Sequence, residues 1–449
     1  MDDFHAWGDE SALVHQALEW AAQRIVRPTD SKTTARSAEQ LQADAGPTIT
    51  RTGIGGEQAL RVFTEVLEPA TRAQDDPMNL AYVPAAPTRA AVAFDFVTSA
   101  ANIFAGYWEA GAGAVFAENE ALAWLVELLG WPETAGGCFV AGGTNGNLSA
   151  LVAARHTALA RRGERPAGGW QLACTADVHS SIRSAARVLD VEVCEVAEDE
   201  HGHLSGAELR RTLAHSPDVF AVVASAGTTN AGVIDDLSTI ADVCAEYGVW
   251  LHVDGAYGGA GLAAPSVRHR FAGIERADSF IVDPHKWLFA PYDCCALLYR
   301  EPELARAAHQ QSAHYLDQVD HAVWNPADYA VHLSRRPRGL PFWFSLASYG
   351  TDRYTAAIEH TLDTARTVAD AIRAAEHLRL VSEPELSVLL FERVGWSDAE
   401  YVAWSQRAAL DGVILCLPTS WHGRTVLRLA FVNPETRADR VIEVLQSLA

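Results

Sequence analysis

Between residues 169 and 299 the chain alternates short β-rich runs with longer helical ones, and this rhythm constrains the fold more than any other feature. "GWQLACTA", "VEVCEVA", "FAVVASA" and "WLHVDGA" read as strands, while "HSSIRSAARVL", "LSGAELRRTLA" and "LSTIADVCAEYG" fall between them and read as helices. Strands joined by helical crossovers pair in parallel, with the helices packed on the faces of the sheet. "SFIVDPH" and "CCALLYR" add two further strands. In such open sheets a ligand sits at the C-terminal ends of the strands, so the polar residues found there become candidates for function.

At 449 residues the chain exceeds the size of about 250 to 300 residues at which a single core stops growing, so more than one packed lobe is expected. Residues 11 to 26, "SALVHQALEWAAQRIV", have helical spacing, and the polar "PTDSKTTARSAEQ" after them reads as a loop. Farther on, "ENEALAWLVELLG" reads as a helix that Gly130 stops. From about 345 the pattern changes to a long helix, a strand at "LSVLLFERV", a helix near 397 to 411, strands at "VILCLP" and "TVLRLAFV", and a closing helix. The expected division is an N-terminal helical arm over 1–75, a large α/β unit over 76–344 and a smaller C-terminal α/β unit over 345–449.

Charge and cysteine usage narrow the function classes. A formal net charge of −22 repels phosphate backbones and anionic lipid heads, which disfavours nucleic acid and membrane surfaces as partners. No apolar run approaches the roughly 20 residues that span a bilayer. The acidic start "MDDFHAWGDE" lacks the pattern of a secretory signal. Seven scattered cysteines form neither a disulfide framework nor a zinc-type pattern, so a reducing cytoplasm is expected and no metal is called for. A small-molecule function is the default.

Five features stand out, four of them near strand ends. "AGGTNGNLSALVAARH" runs a Gly-rich turn with Thr144 into a helix, whose first N–H groups favour an anion such as phosphate; an ordinary glycine turn has the same look. His179 follows a strand and opens a helix, a place for a cap or for a ligand contact. "SAGTTNAGV" ends a strand in Thr228 and Thr229, which suit a ligand or a plain turn. "WLHVDGAYGG" ends in Asp254, a carboxylate that needs donors or a cation. In "VDPHKWLFAPYDCC" Lys286 stands among apolar neighbours, where desolvation favours the neutral, nucleophilic amine, unless its stem alone is buried. Together these groups match the needs of pyridoxal phosphate: donors for its phosphate, a carboxylate for its ring nitrogen, a flat group on its face and a lysine for its aldehyde.

"HVDGAYGG" and "VDPHKWLFAPYDCCALL", with the spacing between them, resemble the most specific blocks of the group II pyridoxal-phosphate-dependent decarboxylases, the family of the aromatic L-amino-acid, glutamate and histidine enzymes. The resemblance runs from about residue 78 to the C-terminus. It implies fold type I, like aspartate aminotransferase, with a mostly parallel seven-stranded sheet in the large domain and a smaller C-terminal α/β domain. It makes Lys286 the Schiff-base lysine and Asp254 the partner of the ring nitrogen, with His179 and Ala256 on the two ring faces. Gly143, Thr144 and His285 match the phosphate wall, and Thr229 a cofactor-side threonine. Tyr315 matches a loop tyrosine that returns a proton to the substrate carbon. Tyr82, Val83 and Pro84 match the substrate pocket from one subunit, Trp108 enters from the other, and Arg428 resembles an arginine near the mouth. A homodimer with shared active sites is therefore implied.

The wording departs from the family in places. "GGTNGN" is closer to the turn of histidine and serine decarboxylases than to that of the aromatic enzymes, and Asp283 stands where many members have asparagine. "GAGAVFAENE" lacks the usual wording of the dimer-facing segment. The expected reaction is α-decarboxylation of an L-amino acid, aromatic as first choice, to the amine and CO2. The competing substrates are small or polar: histidine, serine, glutamate or diaminobutyrate. The alternatives in activity are an aldehyde synthase on the same fold and a non-catalytic paralogue; loss of the loop tyrosine or stacking histidine would mark the first, loss of the lysine or carboxylate the second, and all four residues are present.

Overall fold

The structure is a computed structural model that describes residues 10–27, 36–311, 320 and 322–448. The alternating segment forms a seven-stranded sheet from β1 (Gly136–Val140), β2 (Gln171–Cys174), β3 (Glu192–Glu195), β4 (Val219–Ser225), β5 (Trp250–Asp254), β6 (Ser279–Val282) and β7 (Cys295–Tyr299). Its order is β1-β7-β6-β5-β4-β2-β3. The run β3-β2-β4-β5-β6 is parallel, and β7 lies antiparallel to both β6 and β1. Successive side chains alternate between two cores, one on each face: Val222, Ala224, Leu251, Val253 and Phe280 enter one, and Ala221, Val223, Trp250 and Ile281 the other. Burial on both faces explains why these strands read as continuous apolar runs.

Strand β1, "GGCFV", is not legible as a strand because glycine has a low strand propensity. Its geometry nevertheless demands glycine. A Cβ on Gly137 would lie 1.8 Å from the Leu297 carbonyl oxygen, so only glycine allows β1 to approach β7.

The C-terminal part builds a second, antiparallel sheet, β10-β11-β9-β8, from β8 (Leu378–Leu380), β9 (Val388–Arg393), β10 (Leu417–Trp421) and β11 (Arg424–Ala430). The strand expected at "VILCLP" begins only at Leu417. Upstream of it, the Leu415 N–H donates to the Met78 carbonyl, and its own carbonyl accepts from the Leu80 N–H. That bridge ties the segment ahead of the large sheet to the small one. The helix Trp108–Leu129 ends as expected at Gly130, whose left-handed backbone lets its N–H reach the Val126 and Glu127 carbonyls.

Candidate active site

Strands β1, β4, β5 and β6 end at one opening, where the residues after them line a cavity of about 320 Å³. Gly143, Thr144, His179, Thr229, Asp254, Ala256, His285 and Lys286 all line it, so the sequence candidates for holding a cofactor converge. The helix Gly143–Arg162 begins at the cavity wall. Gly143 fits closely there: a Cβ would lie 3.2 Å from Asp283 Oδ2 and 3.3 Å from the Ala256 methyl, so those groups would have to shift. This helix start, with its N–H groups lacking intrahelical acceptors, suits an anion.

The β5 side is densely hydrogen-bonded. Asp254 Oδ2 accepts from Asn147 Nδ2 at 2.8 Å, and Oδ1 accepts from the Ala256 N–H at 3.0 Å. These donors meet the need of a buried carboxylate without a protein cation in contact. Asn147 Nδ2 also donates to Ser181 Oγ at 2.9 Å, and Ser181 Oγ lies 2.8 Å from His179 Nδ1. His179 is both cap and site residue: its Nδ1 accepts from the Ser181 N–H of the helix it opens, and its ring faces the cavity.

The Lys286 side corrects an expectation. Burial pushes the amine pKa down, but Asp283 Oδ2 at 2.9 Å, with Asp254 and Cys295 beyond, outweighs it, and the pKa stands above its ordinary value. Lys286 is thus an ammonium in this pocket, not a partly neutral amine. Asp283, the residue the sequence left without a role, is its counter-ion. Asp283 is 2 % exposed, and among the described residues its Oδ1 has no N–H or O–H donor, while the Cys295 thiol lies beside the carboxylate. Burial lowers the His285 pKa; Nδ1 accepts from the Cys294 N–H, and Nε2 stands 3.7 Å from Asp283 Oδ2.

The substrate candidates are not gathered in this way. Tyr82, Val83, Pro84 and Trp108 do not line the cavity within one chain. Arg428 does not reach the mouth either: its guanidinium is buried and donates to the carbonyls of Thr229, Asn230 and Tyr82, tying β11 to the turn after β4. Burial lowers its pKa to about 10. Tyr315 lies outside the described residues.

Several lining residues escaped the sequence reading: Asn147, Ser225, Tyr257, Asp283, Tyr292 and Asp293. Asn147 could have been found, since it stands four residues after Gly143 and so shares its helix face. Tyr292 and Asp293 follow Lys286 closely in the quoted block. The Tyr292 ring stacks obliquely on His285 at 4.8 Å, and Asp293 pairs with Arg338 at 2.9 Å.

A helix start for an anion, a carboxylate beside a cavity and a half-buried lysine paired with a buried carboxylate fit a cofactor bearing phosphate, ring nitrogen and aldehyde. Residues 56–394 match the model of the pyridoxal-dependent decarboxylase conserved domain, and the chain belongs to this family. It is a pyridoxal-phosphate-dependent amino acid decarboxylase of group II, a carboxy-lyase. It is 31% identical over 393 residues to the aromatic-L-amino-acid decarboxylase of Bacillus atrophaeus, covering 83% of this chain and 81% of that one. It is 34% identical over 375 residues to the L-2,4-diaminobutyrate decarboxylase of Rhizobium meliloti, covering 80% and 74%. The fold is that of Oryza sativa TDC solved with PLP and tryptamine, with a TM-score of 0.90, 23% identity and coverage of 99% and 98%.

Proposed function

We propose that the enzyme decarboxylates an aromatic L-amino acid at Cα to the amine, with Lys286, Asp254, His179 and Tyr315 as its catalytic residues. Pyridoxal phosphate, when bound, supplies the electron sink that makes loss of CO2 from Cα feasible. The chain supplies the rest. Lys286 Nζ provides the amine for the aldehyde, and Asp283 Oδ2 holds it in place until then. Asp254, held by Asn147 and the Ala256 N–H, presents a fixed carboxylate to the ring nitrogen. His179 and Ala256 take the two ring faces, Gly143, Thr144 and His285 the phosphate, and Thr229 a further edge. Tyr315 would deliver a proton to Cα.

The observation that carries the aromatic reading is Tyr292, a half-exposed aromatic ring in the cavity wall, tilted against His285. The Bacillus atrophaeus relative acts on aromatic amino acids by its name. A second reading, a diamino acid, is favoured by the Asp293 carboxylate in the same wall and by the Rhizobium meliloti relative. A screen of the twenty amino acids and L-2,4-diaminobutyrate for CO2 release tests both. The aromatic reading expects the highest kcat/KM with tryptophan, tyrosine or phenylalanine and equimolar amine; preference for diaminobutyrate, or aldehyde with ammonia and peroxide in place of amine, overturns it.

A homodimer with shared sites accounts for a further feature. Val14, Leu18, Phe63, Leu67, Phe96, Val97, Phe104 and Phe116 are exposed large apolar side chains from the first 116 residues, the part read as arm and dimer-facing segment. On this reading residues 1–75 clasp the partner, residues 76–344 form the cofactor domain and 345–449 the small domain, while Trp108 joins Tyr82, Val83 and Pro84 across the interface. Arg428 then acts on the pocket through the Tyr82 and Thr229 carbonyls. All seven cysteines are free, which fits a reducing cytoplasm. Among the described residues no helix is long and apolar enough to cross a membrane.

A further inference from the structure

Behind the cavity runs a chain of buried polar groups that the reaction does not itself use. Trp250 Nε1 donates to Ser279 Oγ at 2.8 Å; Ser279 Oγ meets His252 Nδ1 at 2.8 Å; His252 Nε2 meets Asn147 Oδ1 at 2.8 Å. From Asn147 it forks, to Asp254 Oδ2 at 2.8 Å and to Ser181 Oγ at 2.9 Å, and Ser181 leads to His179 Nδ1. Ser279 and His252 are fully buried, and Asn147 is 1% exposed, so water does not complete these bonds.

Between Trp250 and Asp254 the direction of every proton is fixed by the two ends. An indole N–H can only donate, and a carboxylate can only accept. Asn147 must therefore turn its NH2 toward Asp254, which leaves its oxygen facing His252, so His252 Nε2 carries a proton. Burial pushes the His252 pKa down to about 4 against the pull of Asp254, so the ring is neutral and Nδ1 is bare. Ser279 then donates to Nδ1 and keeps a lone pair for Trp250, as its two partners require. On the other branch the second N–H of Asn147 goes to Ser181 Oγ, whose own proton is left for His179 Nδ1. The Ser181 N–H, 3.3 Å from the same nitrogen, also requires an acceptor there.

We propose that Asn147 is a positioning residue for the decarboxylation: its amide orders Asp254 and, through Ser181, holds His179 in the tautomer with Nδ1 bare and the proton on Nε2. One amide thereby sets the carboxylate for the ring nitrogen and the protonation of the imidazole that faces the cofactor. A histidine that presented Nδ1–H instead would turn against two donors and leave its wall. The inference rests on the cofactor-dependent reaction and not on the choice of substrate, and its main readout needs no substrate.

Nitrogen-15 NMR of the holoenzyme labelled at histidine reads the tautomer directly. The expected His179 signals are an unprotonated Nδ1 and a protonated Nε2. Ser181→Ala cuts only the branch to His179, and is expected to give mixed His179 tautomers and a kcat lower on the order of tenfold, as when an outer-shell partner is lost. KM and cofactor affinity should stay close to the wild-type values. Asn147→Asp removes both branches and should in addition weaken cofactor binding, followed by fluorescence; if it fails to fold, the Ser181→Ala enzyme still decides. A wild-type His179 with its proton on Nδ1 overturns the proposal, and so does a Ser181→Ala enzyme that keeps either its single tautomer or its kcat.

Discussion

The two walls of the cavity are finished to different degrees. On the β5 wall Asp254, Asn147, Ser181 and His179 satisfy one another with bonds of 2.8 to 2.9 Å, and the backbone adds an N–H. On the β6 wall Lys286 pairs with Asp283, and among the described residues the second oxygen of that carboxylate has no N–H or O–H donor. The first wall is preorganised, so it costs nothing to arrange when a ligand arrives. The second is held by an ion pair, and under the proposed function that pair opens when Lys286 meets an aldehyde. The groups that stay fixed are shaped in advance, and the group that must react is held by a bond that a ligand can replace.

The largest effect is expected at Lys286. Lys286→Ala should lower decarboxylation by several orders of magnitude, since the β5 wall alone offers no amine; a substantial residual kcat would break the comparison. Asp254→Asn keeps the shape of the other wall but replaces a carboxylate that accepts twice. A loss of kcat on the order of 10² to 10³ is expected, the range found when a stabilising group is removed from the reacting centre.

Asp283→Asn sharpens the contrast from the other side. Without its counter-ion the lysine keeps the burial that pushes its pKa down, so the cofactor-free variant should react with pyridoxal phosphate at lower pH than the wild type. The linkage has a definite sign. The raised lysine pKa adds stability to the cofactor-free wild type that is fully present below the ordinary lysine value and lost as pH rises through the higher folded one. Melting curves of both proteins against pH should therefore converge at alkaline pH; parallel curves would show that the ion pair does not matter.

A smaller effect is expected in acid. His252, buried behind the β5 wall, has its pKa lowered to about 4, and burial lowers His309 and His332 to about 4 as well. An unfolded histidine binds its proton near pH 6.5, so stability present above that value should fall between about 6.5 and 4. His252→Gln should flatten the fall in Tm across that window by its share.

Much of this was legible in the sequence, because parallel strands covered on both faces announce themselves as apolar runs and because the groups around a cofactor cluster at their ends. Gly143, His179, Asp254 and Lys286 were found for that reason. The Lys286 charge was misread because burial was weighed without its neighbour: Asp283, three residues earlier, outweighs it, and only the local turn brings the two together. Arg428 was placed at the mouth by family resemblance alone, whereas its donors are spent on backbone carbonyls. Asn147 was in view and passed over, although it shares a helix face with Gly143; only its partners from β5 and the next helix show what it does. β1 was missed because the glycines that let it approach β7 are the residues that hide a strand.

The central claim, that Lys286 carries the cofactor in an otherwise preformed site, has a direct test. The chain has only two lysines, Lys32 and Lys286, so a covalent label on lysine is simple to place. Reduction of the holoenzyme with borohydride, followed by peptide mass mapping, should find the pyridoxyl group on the peptide that contains Lys286, with matching loss of activity. A label on Lys32, or no label on an enzyme that still binds the cofactor and releases CO2, would contradict the account.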